Sequence, residues 1–162
     1  VTETIFLQQI RENRGIIYKL VNLYALHAEE KKDLYQEILL QAWKGYTSFK
    51  GEAKFSTWLY RISLNTLLTY KRKKRIVDYT DAPEHLGAVP HPSTSTDETE
   101  ALYGAIRQLP ETDRAIISLH LDGYDNPEIA EIIGITTNHV AVKMHRIKQH
   151  LQKTLKPIYH ES

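Results

Sequence analysis

Helical periodicity runs through this chain from about residue 5 to residue 75, stops, and resumes near residue 97. The interruption, residues 78–96, holds three prolines and the run Ser93-Thr94-Ser95-Thr96, with Leu86 and Val89 as its only large aliphatic side chains. Prolines remove backbone donors, and a stretch this poor in large apolar groups cannot build a core, so it reads as a flexible linker. That break divides the 162 residues into two small domains, 1–77 and 97–162, each with a modest core of its own. A large catalytic architecture does not fit.

The net charge of +1 conceals a segregation along the chain that shares the boundary at 77/78. Residues 1–77 carry 14 Lys+Arg against 7 Asp+Glu, residues 78–113 carry 1 against 8, and residues 114–162 carry 6 against 5. A basic segment, an acidic middle and a mixed tail imply separate surfaces for separate partners, with polyanions the natural partners of the first. Hydrophobic residues at 41% and charged residues at 25% exclude a wholly disordered chain. Cysteine is absent, which removes disulfides, thiolate metal sites, zinc fingers and cysteine nucleophiles together. No apolar run approaches the ~20 residues that span a bilayer, and the N-terminal segment lacks the basic-then-apolar order of a signal peptide. The expectation is a cytoplasmic chain with no direct membrane insertion.

Residues 5–27 predict an amphipathic helix with Phe6, Ile10, Ile17, Val21 and Tyr24 on one face. Residues 33–44 continue in helical period with Leu34, Ile38 and Ala42 aligned, and Gly45 reads as the stop. Tyr46 to Lys54 reads as a loop. Ser56 or Thr57 is the expected cap of a helix running to about Arg75, with Phe55, Leu59, Ile62 and Leu67 or Leu68 buried. Beyond the linker, Asp97 or Thr99 starts a helix to Gln108, and a mostly apolar helix over 111–122 ends at Gly123. Asn126 before Pro127 matches an N-cap with proline in the first turn, opening a short helix to Ile133. Gly134 turns the chain, and Thr136 or Thr137 caps a last helix to about Leu155. The fold class is all-α, with no competing strand pattern.

Residues 126–150 form the most informative local unit: a short helix, a glycine turn and a longer basic helix, which is a helix-turn-helix. Ala130 is small where the helices cross, while Ile129, Ile133, Ile135, Val140, Met144, Ile147 and Leu151 supply an apolar seam. The opposite face then holds Asn138, His139, Val142, Lys143, His145, Arg146 and Gln149. Arg and Lys pair with guanine acceptors or phosphates, and Asn or Gln can read adenine. The alternative is an ordinary solvated helix. Phe49 to Arg75 is a second basic element, in which Trp58, Tyr60 and Tyr70 stand among Arg61 and the run Lys71-Arg72-Lys73-Lys74-Arg75. Unpaired DNA stacks its bases on rings while cations track its backbone. Against this, Trp58 lies three residues after Phe55 and reads more as core than as a stacking platform, and a basic run at a helix end commonly just offsets the helix dipole.

Asp33, Gln36 and Glu37 share a helix face next to Leu40 and Trp43, with no histidine at ligand spacing, so a protein-docking patch fits better than a catalytic or metal site. His139, His145 and His150 are six and five residues apart and do not converge on one metal. No glycine-rich phosphate loop is present. Neither a cofactor nor a catalytic residue is expected.

Two stretches together resemble one family, the extracytoplasmic-function (ECF) class of bacterial RNA polymerase sigma factors. The first is Asp33-Leu34-Tyr35-Gln36-Glu37 through Ala42-Trp43, then Phe49-Lys50-Gly51-Glu52-Ala53-Lys54-Phe55-Ser56-Thr57-Trp58-Leu59-Tyr60-Arg61-Ile62 and Asn65. The second is Leu109-Pro110-Glu111, Arg114, Leu119, Gly123-Tyr124, Glu128 to Ile135, Val140 and His145-Arg146. The resemblance implies a non-enzymatic initiation factor that binds core RNA polymerase and directs promoter-specific transcription. In it, Asp33, Gln36, Glu37, Leu40 and Trp43 dock on the clamp helices of the largest subunit. Phe49, Lys50, Gly51, Glu52, Lys54, Ser56, Thr57, Trp58, Arg61, Asn65, Lys71, Arg72, Lys74 and Arg75 open the promoter and capture the −10 element. Thr137, Asn138, His139, Val142, Lys143, His145, Arg146 and Gln149 read the −35 element. The acidic linker is expected inside the polymerase, the second domain at the flap of the second-largest subunit, and an anti-sigma factor as a further partner. Two departures stand out. Relatives commonly begin the recognition helix Gly-Thr-Val-Lys where this chain has Asn138-His139-Val140-Ala141, and Thr69-Tyr70-Lys71 replaces the family's usual Asp before the basic run. A stand-alone DNA-binding regulator is the competing reading, but it has no need of the docking patch or of the Gly51 to Trp58 segment. A small RNA- or nucleotide-processing enzyme lacks a convergent catalytic set.

Overall fold

The computed structural model describes residues 2–78 and 97–159, with side chains described for 2–73 and 97–155. The linker expected over 78–96 thus lies, beyond Asp78, outside the described residues. Every regular element among the described residues is an α-helix: α1 (Thr2–Tyr24), α2 (Ala28–Tyr46), α3 (Phe55–Asp78), α4 (Asp97–Arg107), α5 (Glu111–Leu121), α6 (Asn126–Ile133) and α7 (Thr137–Tyr159). The helices fall into two compact units, α1 to α3 and α4 to α7.

In the first unit the three helices pack pairwise around one core. α1 buries Phe6, Ile10, Ile17, Leu20, Val21, Leu23 and Tyr24, and α2 buries Leu34, Ile38 and Ala42. α3 adds Phe55, Leu59, Tyr60, Leu64 and Leu67, with Ile62 and Leu68 half-buried. Each such large side chain taken from water contributes about 1.5 to 3 kcal/mol before conformational entropy is charged against it. Two boundaries differ from expectation. Gly45 does not stop α2; it sits inside the helix where α3 closes in, and a Cβ there would lie 3.4 Å from Ile62 Cδ1 and 3.5 Å from Trp58 Cζ2. α3 begins one residue ahead of Ser56 and two ahead of Thr57, so neither caps it; the Lys54 carbonyl accepts from the Trp58 amide, 3.1 Å away.

In the second unit α7 packs against α4, α5 and α6. The core is aliphatic: Ile106, Leu109, Ile116, Ile117, Leu119, Ile129, Val140, Met144, Ile147 and Leu151, with Ala105, Ala115 and Ala130 where helices approach. The expected seam holds at its α7 end. On α6, Ile129 and Ala130 are buried as expected, but Ile132 takes the buried place expected of Ile133, which is half-buried, as is Ile135 in the turn.

Candidate nucleic-acid interface

Two short devices fix the helix-turn-helix. The N-cap of α6 is Asp125, one residue earlier than Asn126: its carboxylate accepts from the Glu128 amide at 2.9 Å, and the Asp125 amide donates to the Glu128 carboxylate at 3.1 Å. This reciprocal box satisfies two donors that the first turn would otherwise leave unpaired. At the other end Gly134 stands at φ +89°, and its amide donates to the Ala130 carbonyl at 2.8 Å. Only a residue without a Cβ occupies that left-handed position without strain. Thr136 then caps α7, its hydroxyl accepting from the His139 amide at 3.1 Å.

With the buried seam Val140, Met144, Ile147 and Leu151 facing inward, helical spacing sets Asn138, Val142 and Gln149 along the opposite line, flanked by His145 and Arg146. All five are exposed, as are Thr137 and His139. Lys143 departs from expectation. It lies toward α5, where its ammonium meets the Asp113 carboxylate at 3.3 Å, with both side chains about one-fifth exposed. The lysine that resembles a DNA contact in sequence is occupied by a partner thirty residues away.

In the first unit the segment between α2 and α3 is held by rings. Tyr46, Phe49, Phe55 and Trp58 contact one another with centroids 5.1 to 6.3 Å apart, and Phe6 joins Trp43 and Tyr46 at 5.0 Å. Offset and edge-on ring pairs of this kind are favourable beyond their buried area. The Tyr46 hydroxyl donates to Gln9 at 2.8 Å, fixing the end of α2 to α1. Phe49 and Trp58 are therefore half-buried members of a cluster, while Lys50, Gly51, Glu52 and Lys54 stand exposed above it and Gly51 takes φ +76°.

Along α3, Trp58, Arg61, Asn65 and Arg72 recur at helical spacing on the side opposite the core, half-buried at Trp58 and Arg61 and exposed at Asn65 and Arg72. Ser56, Thr57 and Lys71 are half-buried and fall outside that line. Lys74 and Arg75 lie on α3 with side chains outside the described residues. Tyr70 ties α3 to α2, its hydroxyl donating to Glu30 at 2.7 Å.

On α2, Asp33, Gln36, Leu40 and Trp43 follow one exposed line, with Leu40 46% and Trp43 43% accessible. Glu37 sits at its edge, accepts from Gln41 at 2.9 Å, and shares a groove between α2 and α3 with Asp33, Asn65, Thr69, Tyr70 and Lys73. The groove joins one member of the expected −10 set, Asn65, to two of the expected docking set. A feature the sequence did not single out is the stacked pair Tyr18 and Tyr35, 4.7 Å apart, across α1 and α2. Burial, then the neighbouring Tyr18 hydroxyl, holds the Tyr35 phenol above its ordinary pKa, with Arg14 opposing. Only tertiary packing brings these rings together. Among the described residues no group of three or more His, Cys, Asp or Glu could hold a metal ion, and no helix is long and apolar enough to cross a membrane.

Two helical units, one with a basic outward helix beside a ring-anchored loop and one with a capped helix-turn-helix, have the features of a nucleic-acid-binding protein. Residues 9–76 match the Sigma-70 region 2 model and residues 99–151 the Sigma-70 region 4 model. The chain is 31% identical to the ECF RNA polymerase sigma factor SigW of Bacillus subtilis, over 88% of this chain and 84% of that one. It is 30% identical to the ECF RNA polymerase sigma-E factor of Escherichia coli K12, over 78% and 74%. The fold matches that of the sigma factor RpoE from Bartonella quintana, solved with the anti-sigma factor NepR, at a TM-score of 0.80 and 22% identity over 93% of this chain and 96% of that one. The chain belongs to the ECF-type sigma factors of the sigma-70 family, non-enzymatic polymerase subunits that direct transcription initiation.

Proposed function

We propose that the two units divide initiation between them. Residues 1–77 dock on the clamp helices of the largest polymerase subunit through Asp33, Gln36, Glu37, Leu40 and Trp43, and capture the opened −10 element with the 49–54 loop and the outward line of α3. Residues 97–162 read the −35 duplex with α7 and lie at the flap of the second-largest subunit. Residues 78–96 join them. The observation that carries this reading is the α2 line. A leucine and a tryptophan, each more than two-fifths exposed beside two carboxylates and an amide, are a costly solvent surface and an ordinary protein interface. An anti-sigma factor is a further partner, a reading supported by the Bartonella quintana relative solved with NepR. The place of action is the cytoplasm, where the polymerase is.

The test is a titration of core polymerase with the full chain carrying Asp33→Ala, Gln36→Ala and Glu37→Ala together. These positions are exposed, so the fold survives, while stranded partner charges weaken binding by about 2 to 5 kcal/mol. Parental affinity would overturn the docking assignment.

A further inference from the structure

We propose that Val142 sets −35 specificity in this chain by contacting the C5-methyl group of a thymine in the duplex that α7 enters. The inference rests on the −35 reading above and extends it to one chemical group.

Val142 is 50% exposed at the centre of the outward line of α7, opposite the buried seam. A β-branched residue loses side-chain freedom in a helix, and at this exposure burial returns little of that loss. A single exposed apolar side chain needs no explanation elsewhere on a surface. Here its setting is informative. Asn138 and Gln149 lie on the same line, four residues before and seven after, with His145 and Arg146 at the flanks, all exposed. Valine has no donor or acceptor, so neither a phosphate nor a polar base edge is its match. The thymine methyl is the apolar group that the major groove presents to a helix. Asn and Gln are the side chains suited to adenine N6 and N7, and adenine's partner is thymine. One line of side chains can therefore address both halves of A·T pairs. Lys143, the neighbour whose reach would compete for this space, is held toward α5 by Asp113.

The experiment selects −35 elements from random duplexes with the full chain assembled on core polymerase, then replaces each selected thymine by deoxyuridine, which lacks only the methyl. For the parent, one replacement lowers binding about fourfold, the loss of one buried methyl. For Val142→Ser, which puts a hydroxyl in place of the apolar methyls, thymine and deoxyuridine bind alike at that position, while the variant still protects the −35 region. Serine and valine have similar helix propensity and the position is half exposed, so the variant folds. A parent that protects the −35 region yet ignores every replacement overturns the inference, as does a Val142→Ser variant that keeps the parental ratio. Absence of −35 protection by the parent overturns the −35 reading itself and the inference with it.

Discussion

The two units solve opposite problems. The first holds an irregular loop with aromatic side chains: Tyr46, Phe49, Phe55 and Trp58 pack beneath exposed Lys50, Glu52 and Lys54. The second has a core of aliphatic residues and fixes two helices with a capping box, a left-handed glycine and a threonine cap. Ring pairs anchor this loop from one side and leave Lys50, Glu52 and Lys54 in solvent, which on the proposed function suits capture of an extruded base. Caps tolerate little, and a helix meant for a groove of fixed width needs one angle. The contrast fits unpaired DNA at one unit and duplex at the other.

The largest expected effect separates the two. Phe55→Ala removes a ring that touches Phe6, Tyr46, Phe49 and Trp58, and destabilises the first unit by about 3 to 5 kcal/mol. Both tryptophans, Trp43 and Trp58, belong to that unit, so fluorescence reports its unfolding alone. The fluorescence midpoint in urea should fall while the remaining far-UV circular dichroism transition stays in place. Transitions that move together would show that the two units do not unfold independently.

Gly134→Ala should do the reverse. An added Cβ meets nothing within 4 Å, so the penalty is conformational, about 1 to 2 kcal/mol for a left-handed alanine. The circular dichroism transition of the second unit should shift with tryptophan fluorescence unmoved. Smaller effects are expected on the recognition helix. Lys143→Ala should cost at most ~1 kcal/mol of stability and leave the salt dependence of promoter binding near parental, because the ammonium serves Asp113. Arg146→Ala should lower the salt slope by about one, or cost about 1 to 3 kcal/mol if it reads a base. Equal losses from the two would return Lys143 to the DNA surface.

What the sequence made legible were the faces that recur along a single helix. The buried sets Leu34, Ile38, Ala42 and Val140, Met144, Ile147, Leu151 follow directly from spacing. Caps were legible only in part: Asp125 and Glu128 stand in capping-box spacing, but Asn126 beside Pro127 offered an equally good local signal. Contacts between helices were not legible. Nothing local tells Gly45, packed against Trp58, from a helix stop, and nothing ties Lys143 to Asp113 across thirty residues. The role of a charged residue depends on that tertiary neighbour, which periodicity does not contain.

On the proposed function, the loop above the ring cluster chooses the −10 base independently of the second unit. The most direct test replaces Lys50, Glu52 and Lys54 with the residues of a relative that prefers a different −10 base, leaving Phe49, Phe55 and Trp58 in place. Transcription by the assembled holoenzyme is then measured from promoters carrying each base in turn. Base preference is expected to follow the loop, while −35 protection and affinity for core polymerase stay parental. Unchanged base preference after the exchange would contradict it.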